Sequence, residues 1–184
     1  MTLRWKLGAR TAGHDYRVFT TRFVDGTNPR DGSITRFSLI DGADWVNVIA
    51  VTPERDVVLI RQFRPGVDDV CIEIPGGMVD PGEQPLAAAA RELAEETGYT
   101  APSWRPLGVV SPNPAIQTNR LHTFLALDAT RTEPQRLEGG EVIEVETAPF
   151  SDVTAMLRDG RIVHALVVAA FGHLAFQRGE LGLW

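Results

Sequence analysis

The stretch from residue 77 to residue 99, GMVDPGEQPLAAAARELAEETGY, constrains this chain more than any other. Glu92, Glu95 and Glu96 stand at i, i+3 and i+4, so on an α-helix all three project from one side. The apolar residues of the stretch centre about 120° away, on a separate face. Like charges at this spacing destabilise a helix by a few tenths of a kcal/mol. A hard divalent cation, Mg²⁺ or Mn²⁺, which binds oxygen ligands, is the simplest explanation of the cluster, although an acidic, solvated helix edge is the alternative.

The ends of this helix are marked by the residues around it. Gln84 precedes the helix, Pro85 stands just inside its start, and Gly98 follows its end. Proline is suited to the first helical position and glycine to the position after the last turn. We therefore predict a helix from Pro85 to the residue before Gly98.

Residues 1–44 predict an antiparallel β extension of two or three strands. The alternating segments are Tyr16–Val24 and Ser33–Ile40, and AspGly turns are expected at 25–26, 31–32 and 41–42. So few strands are marginally stable alone. The extension is therefore expected to pack on the main domain or on a second subunit.

Residues 45–184 predict a mixed sheet with helices on both faces. Two apolar, β-branched runs, Trp45–Thr52 and Val57–Phe63, read as a hairpin joined by ProGluArgAsp. The last apolar run, within Ile162–Gln177, is short for a membrane span and contains two histidines, so we interpret it as a buried helix. Four further strands and one further helix are expected in Cys71–Ile74, Trp104–Val110, Arg120–Leu127, Val142–Val145 and Ser151–Leu157.

Composition excludes some partners. The chain has 184 residues, a net charge of −6 and a pI near 5.2, which argue against general affinity for nucleic acid or an anionic membrane. A phosphorylated substrate remains compatible, because a bound metal supplies positive charge locally. The single cysteine, Cys71, and an N-terminus without the apolar segment of a secretion signal favour a reduced, cytoplasmic protein.

The 77–99 stretch resembles the Nudix box, GX5EX7REUXEEXGU, at all nine of its defined positions, which span 23 residues. Tyr99, where an aliphatic residue is more usual, is the mild departure. The resemblance implies an α/β protein of the Nudix fold, an α/β/α sandwich with a mixed sheet. The matching residues are Gly77, Glu83, Arg91, Glu92, Leu93, Glu95, Glu96, Gly98 and Tyr99.

The resemblance also implies roles within the box. Glu92 and Glu96 are the leading metal ligands, Glu95 comes next, and Gly76 offers its backbone carbonyl. Glu96 and Glu95 are also the box residues expected to act in catalysis. The cofactor is expected to be Mg²⁺, with Mn²⁺ as the alternative.

Four residues of the box are expected to be structural. Glu83 supports the geometry of the loop and helix or reaches the metal through water, and Arg91 pairs with Glu83 or a neighbouring carboxylate. Gly77 and Gly98 are expected to serve the backbone, because glycine tolerates positive φ freely.

Two segments upstream resemble the Nudix subgroup that acts on ADP-ribose and similar nucleotide sugars. They are LIRQFR at 59–64 and EIPGG at 73–77. Arg64 matches the arginine that contacts substrate phosphate or ribose, and its alternative is a surface arginine at a strand end. For Arg61 two roles are open: a contact with the substrate, or a surface position on the strand. Glu73, in an apolar strand, needs a partner, and Arg64 is the candidate.

The loop around Pro114 is a further candidate for substrate binding. A proline at this distance from the box is a mark of ADP-ribose pyrophosphatases, but SPNPAIQTNRLH departs from their common, glycine-bearing loop. Asn119 and Arg120 are open between substrate contact and a structural role, whereas His122 is expected to be structural.

Residues 138–145, EGGEVIEV, resemble the acidic loop that brings a glutamate to the attacking water or to the metal in this subgroup. Glu141 is the first choice and Glu138 the second. The alternative is an acidic hairpin in solvent.

We therefore expect a metal-dependent hydrolase that cleaves the pyrophosphate bond of ADP-ribose or another nucleotide sugar. The alternatives are a Nudix hydrolase for GDP-mannose, a dinucleoside polyphosphate or a modified NTP, or a non-catalytic Nudix-fold regulator that binds a nucleotide. The expected partner is a small nucleotide substrate, with no nucleic acid and no membrane. Residues 1–44 are expected to mediate a homodimer, and residues 45–184 to form the hydrolase domain.

Overall fold

The computed structural model describes residues 2–181, which form two compact units. The first unit contains the chain up to Asp44 together with Ser111–Arg120. The second contains Trp45–Val110 and the chain from Leu121 onward. The loop 111–120 thus belongs to the same unit as the N-terminal strands.

The first unit is built on a three-stranded antiparallel sheet in the order β1-β2-β3. The expected turn at Asp25–Gly26 is wrong, because these residues lie inside β2. Asp25 pairs with Arg36 and Gly26 pairs with Thr35 of β3. Asp25 also accepts hydrogen bonds of 2.8 and 3.1 Å from Arg36, and this cross-strand ion pair favours the strand conformation of Asp25 and Gly26. The strands are β1 (Lys6–Asp15), β2 (Thr20–Thr27) and β3 (Ile34–Asp41).

The segment Ser111–Arg120 is attached to the end of β3. The Ile40 N–H donates to the Ile116 carbonyl at 2.7 Å, and the Thr118 N–H donates back to the Ile40 carbonyl at 3.1 Å. The Thr118 hydroxyl also hydrogen-bonds to Asp41 at 2.8 Å. These contacts fix the loop to the first unit.

The second unit contains the expected mixed sheet, which has seven strands within the described residues. Its main path runs β12-β5-β4-β10-β9, with β6 paired to β5 and β7 paired to β4. The β4–β10 pair is parallel and the other pairs are antiparallel. The elements are β4 (Trp45–Val51), β5 (Asp56–Arg64), β6 (Asp69–Glu73), β7 (Gly76–Met78), α1 (Pro85–Thr97), β8 (Tyr99–Thr100), β9 (Ser103–Val110), β10 (Leu121–Leu127), β11 (Thr130–Arg131), β12 (Ile143–Pro149), α2 (Phe150–Asp159) and α3 (Ala165–Leu181).

The β4–β5 hairpin is present only at its turn. Val51 pairs with Val57, and beyond this point the two strands diverge. β6 then lies along β5 and β7 lies along β4, so the sheet divides into two branches joined by the short turn at residues 74–75. This division makes room for a cavity between the branches.

Helices pack on both faces of the sheet, as expected. Along β4, Val46, Val48 and Ala50 contact the cluster that contains Leu93 of α1. The alternate residues Ile49 and Val51 belong to the opposite cluster, with side chains of α2 and α3. This period of two, buried on both sides, explains why β4 reads as a continuous apolar run.

Helix α1 has the predicted ends. Gln84 is its N-cap with an extended backbone, and Pro85 is its first residue. Gly98 has φ 74° and donates its N–H to the Ala94 carbonyl. A Cβ at Gly98 would lie 2.1 Å from the Glu133 carbonyl oxygen, so both the backbone conformation and the close approach require glycine.

Helix α3 is buried on one face only, so the expectation of a buried helix is wrong for its outer side. The buried residues Val167, Ala170, Phe171 and Leu174 follow the helical period, whereas Phe176 is 90% exposed. The helix covers one face of the sheet and has solvent on its other side. Within residues 2–181, no helix has the length and apolar character needed to cross a membrane.

The packing of α1 yields a stability prediction. Leu93 has no exposed surface, so Leu93→Ala should lower the free energy of unfolding by about 2–5 kcal/mol. Leu86→Ala on the same helix is the matched control, because Leu86 is 45% exposed and its loss should change stability by less than about 0.5 kcal/mol. Urea unfolding of both variants tests this, and equal midpoints would contradict the assignment of Leu93 to the core.

Candidate active site

The candidate site is organised around the turn from Glu73 to Gly77, which joins β6 to β7. At one end of the turn, Glu73 accepts two hydrogen bonds from Arg64, at 2.7 and 2.8 Å. At the other end, the Gly76 N–H donates to the Glu96 carboxylate of α1 at 2.8 Å. The turn therefore holds an arginine and a helix carboxylate in one neighbourhood.

The two glycines of the turn allow two close approaches. A Cβ at Gly76 would lie 2.3 Å from the Val46 carbonyl oxygen of β4. A Cβ at Gly77 would lie 2.3 Å from an oxygen of the Glu92 carboxylate. Gly76 thus lets β7 pack against β4, and Gly77 leaves the space that the Glu92 carboxylate occupies. Both have negative φ, so the predicted backbone role of Gly77 comes from close packing rather than from positive φ.

The carboxylates of Glu92 and Glu96 on α1 lie in surroundings that disfavour their ionised forms. Burial raises the pKa of Glu96 to about 8, with further contributions from the charges of Glu92 and Glu141; the Gly76 N–H and Arg64 oppose this rise. Burial also raises the pKa of Glu92, and nearby Glu95 and Glu141 add to the effect, while Arg91 opposes it. Burial, together with the neighbouring carboxylates, thus disfavours the ionised forms of Glu92 and Glu96, and a cation bound among their oxygens would favour those forms.

Arg91 is the centre of a carboxylate network on the same helix. Its guanidinium donates to both Glu83 oxygens at 3.1 and 3.0 Å, to Glu92 at 2.9 Å and to Glu95 at 3.2 Å. It also donates to the Met78 carbonyl at 3.0 Å. Arg91 therefore ties the loop before α1 to the helix, which is the geometry expected of a structural residue.

The predicted metal ligands are neighbours, but they are not gathered around one point. Within residues 2–181, no three His, Cys, Asp or Glu side chains are arranged as a ready metal site. Glu92 and Glu95 turn toward Arg91, whereas Glu96 turns toward Gly76. The oxygen donors are of the type that Mg²⁺ and Mn²⁺ prefer.

Arg64 and Glu73 form an ion pair, and Arg64 is thus the partner that the sequence suggested for Glu73. Glu73 is 3% exposed, so its carboxylate needs the bidentate bond, while Arg64 is partly exposed. A guanidinium has five N–H donors, and two of those on Arg64 bind Glu73. Among residues 2–181, Glu73 is the partner seen for this guanidinium, so its remaining donors can bind an oxyanion on the exposed side.

A cavity of about 640 Å³ opens between the two branches of the sheet. Its lining is mostly apolar, from Trp45 and Leu121 to the start of α3, and its polar side chains include Arg64, Glu73 and His164. An apolar pocket with a few convergent polar groups is the usual form of a small-molecule site.

Sequence reasoning missed two polar residues of this cavity. His164 accepts a hydrogen bond from the Leu166 N–H through Nδ1, at 3.2 Å, and its Nε2 lies 3.9 Å from Glu73. Asn47 donates to the Leu166 carbonyl at 3.2 Å, across 119 residues of sequence. No local pattern marks either residue, because their roles come from the packing of α3 beside β4.

Arg61 lies on the other side of β5 from Arg64. Its guanidinium is 4.0 Å from Glu144 of the adjacent strand, and Glu144 is largely exposed. This arrangement is a weak surface ion pair. It favours the interpretation of Arg61 as a surface residue of the strand and not as a substrate contact.

The acidic loop, defined here as residues 137–142, precedes β12. The Glu141 N–H donates to the Glu138 carbonyl at 3.0 Å, and the Glu138 N–H points back to the Glu141 carboxylate at 3.3 Å. Gly139 and Gly140 have φ of 58° and 98°, values that make this tight turn accessible. The loop is exposed, and the charge of Glu141 acts on both Glu92 and Glu96.

The remaining substrate candidates, Pro114, Asn119 and Arg120, lie in the first unit. Pro114 is in an exposed turn, and the Arg120 N–H donates to Asp44 at 2.8 Å. Asn119 is 4% exposed, and its side-chain nitrogen finds no hydrogen-bond partner in the part of the chain that the structure describes. Their part in substrate binding stays a prediction.

Comparison with known proteins identifies the family and the fold of the chain. The sequence model of the NUDIX domain matches residues 43–171. An ADP-ribose pyrophosphatase of Bacillus subtilis is 29% identical over 156 residues, which cover 84% of each chain. A GDP-mannose pyrophosphatase of Klebsiella pneumoniae is 34% identical over 143 residues, which cover 72% of each chain. The fold matches the crystal structure of an ADP compounds hydrolase with a TM-score of 0.83, at 21% identity and 98% coverage of both chains.

Proposed function

This chain belongs to the NUDIX family of hydrolases, and we propose that it hydrolyses the pyrophosphate bond of ADP-ribose or another nucleotide sugar. Water attacks one phosphorus, the bridging P–O bond breaks, and the products are a nucleoside monophosphate and a sugar phosphate. The observation that carries the proposal is the turn 73–77, which binds Arg64 through Glu73 at one end and the Glu96 carboxylate of α1 through the Gly76 N–H at the other.

We place a divalent cation, Mg²⁺ or Mn²⁺, at the carboxylates of α1. Glu92 and Glu96 would hold it, with Glu95 and the Gly76 carbonyl as further donors. When bound, the cation would neutralise phosphate charge and make the attacking water more acidic. The raised pKa values of Glu92 and Glu96 support this placement, because a cation among them would restore their ionised forms.

The other groups have complementary tasks. Arg64 binds a phosphate oxygen through the donors that Glu73 leaves free. Glu141, in the exposed acidic loop, orients the attacking water, with Glu138 as the second candidate. Arg91 keeps the helix and the loop before it in register.

The cavity beside Arg64 is suited to the group attached to the diphosphate. Its apolar walls accommodate a ring, and His164 and Glu73 present a donor and an acceptor to hydroxyl groups.

GDP-mannose is the second candidate substrate, since a GDP-mannose pyrophosphatase is 34% identical to this chain. The retention of Glu92, Glu95 and Glu96 disfavours a non-catalytic regulator.

A substrate panel with Mg²⁺ tests the proposal. ADP-ribose, GDP-mannose, ADP-glucose, NADH, a dinucleoside tetraphosphate and dNTPs are compared by release of phosphomonoester.

Glu96→Gln should lower kcat at least about 100-fold with the fold intact, because it removes a leading metal ligand. Glu54→Gln, at an exposed turn position, is the matched control. Hydrolysis of none of these substrates, or full activity of Glu96→Gln, would refute the proposal.

Substrate binding by Arg64 is tested separately. Arg64→Ala should raise KM for the preferred substrate about 10- to 100-fold, because hydrogen bonds to charged groups contribute about 1.5–3 kcal/mol. The substitution leaves Glu73 buried without its partner, so the double variant Arg64→Ala/Glu73→Gln is measured beside it, with thermal unfolding of each. Arg158→Ala on α2 is the control. An unchanged KM in both Arg64 variants would exclude the assigned role.

We also propose that residues 1–44 mediate a homodimer. In the first unit β1 is exposed along its whole length, and the apolar side chains of Leu7 in β1 and Ile34 in β3 are each more than half exposed. Exposed apolar residues on an edge strand are typical of a surface that pairs with another chain. Light scattering at micromolar concentration should give twice the chain mass of 20.2 kDa, and a monomeric mass would contradict the proposal.

A reducing, cytoplasmic setting suits the single, buried Cys71.

A further inference from the structure

The C-terminal end of α1 is bound by the segment that leads into the acidic loop. The Arg136 N–H donates to the Glu95 carbonyl at 2.8 Å, and the N–H groups of Thr132 and Glu133 donate to the Gly98 carbonyl at 2.9 and 3.2 Å. Carbonyls in the last turn of a helix have no partner within the helix, so this segment supplies donors that they need.

Gln135 makes a different kind of contact at the same place. Its side-chain Nε2 donates to the Glu96 carbonyl at 2.7 Å and to the Ile143 carbonyl at 3.2 Å. Ile143 is the first residue of β12. One side chain therefore joins the two ends of the acidic loop to each other and to the helix residue whose carboxylate faces Gly76.

The acidic loop itself is held mainly from its base. Its internal hydrogen bonds join Glu138 and Glu141 to each other, and its two glycines leave the backbone free to adopt other conformations. Glu141 belongs to this loop and stands two residues before Ile143, whose carbonyl accepts the hydrogen bond from Gln135. The position of Glu141 relative to α1 thus depends on how the loop ends are fixed.

We propose that Gln135 is a positioning residue that fixes the acidic loop to α1 and thereby sets the position of Glu141 relative to Glu96. This inference rests on the proposed function for its effect on catalysis, because Glu141 is assigned there to the attacking water. The contribution of Gln135 to the anchoring is inferred from its own two hydrogen bonds, and the one to Ile143 holds the far end of the loop, which the backbone bonds of Thr132, Glu133 and Arg136 do not reach.

Gln135→Met tests the proposal, because methionine keeps the length of the side chain and removes both donors. We expect kcat to fall about tenfold or more with little change in KM, since a small displacement of a catalytic group costs up to about 100-fold in rate. Gln135→Lys retains a donor group and should recover most of the loss. Arg136→Ala is the control: its side chain pairs with Glu133 and its backbone N–H stays in place.

A double-mutant cycle with Glu141→Gln separates positioning from general destabilisation. If Gln135 acts through Glu141, Gln135→Met should change kcat by less than about twofold once Glu141 has been replaced. The same fold loss in both backgrounds would overturn the proposal, and so would a Glu141→Gln variant as active as the wild type. Thermal unfolding is measured for each variant, and Gln135→Glu replaces Gln135→Met if the latter does not fold.

Hydrogen exchange tests the anchoring without any enzyme assay. Amides of residues 137–142 should exchange faster in Gln135→Met than in the wild type, whereas those in the middle of α1 should not change. Unchanged exchange in the loop would overturn the proposal. If the wild type hydrolyses nothing in the substrate panel, the proposed function fails, and the exchange measurement still decides whether Gln135 anchors the loop.

Discussion

The hydrogen bond from the Gly76 N–H to the Glu96 carboxylate is the contact on which the candidate site depends. It joins the sheet to α1 at the place where a buried carboxylate most needs a donor. At the same residue, β7 approaches β4 so closely that a side chain at position 76 would collide with the Val46 carbonyl. Gly76 therefore serves both the pairing of β7 with β4 and the hydrogen bond to the buried Glu96.

The division of the sheet separates two tasks. The turn 73–77 and α1 gather the charged groups suited to pyrophosphate chemistry. The cavity between the branches, lined by apolar residues and by the start of α3, is suited to recognising the group attached to the diphosphate. The proposed function assigns cleavage of the pyrophosphate bond to the first part and the choice of substrate to the second.

The sequence predicted those features whose physical cause is local. The ends of α1 follow from Pro85 and Gly98, and the faces of β4 follow from a period of two. The divergence of β4 from β5 was not predicted, because each strand alone looks like half of a hairpin. His164 and Gln135 were missed for the same reason: each acts on a residue brought near by tertiary packing, and neither belongs to a motif.

The parallel pairing of β4 with β10 has a consequence for how the chain reaches its native state. Trp45 pairs with Leu121, and the whole of α1 lies in the chain between the two strands. During synthesis, at roughly 5–20 residues per second, β4 must wait until β10 has emerged before its central pairing forms. Closing such a long loop slows folding. Until then, the edge of β4 that later pairs with β10 has no strand beside it.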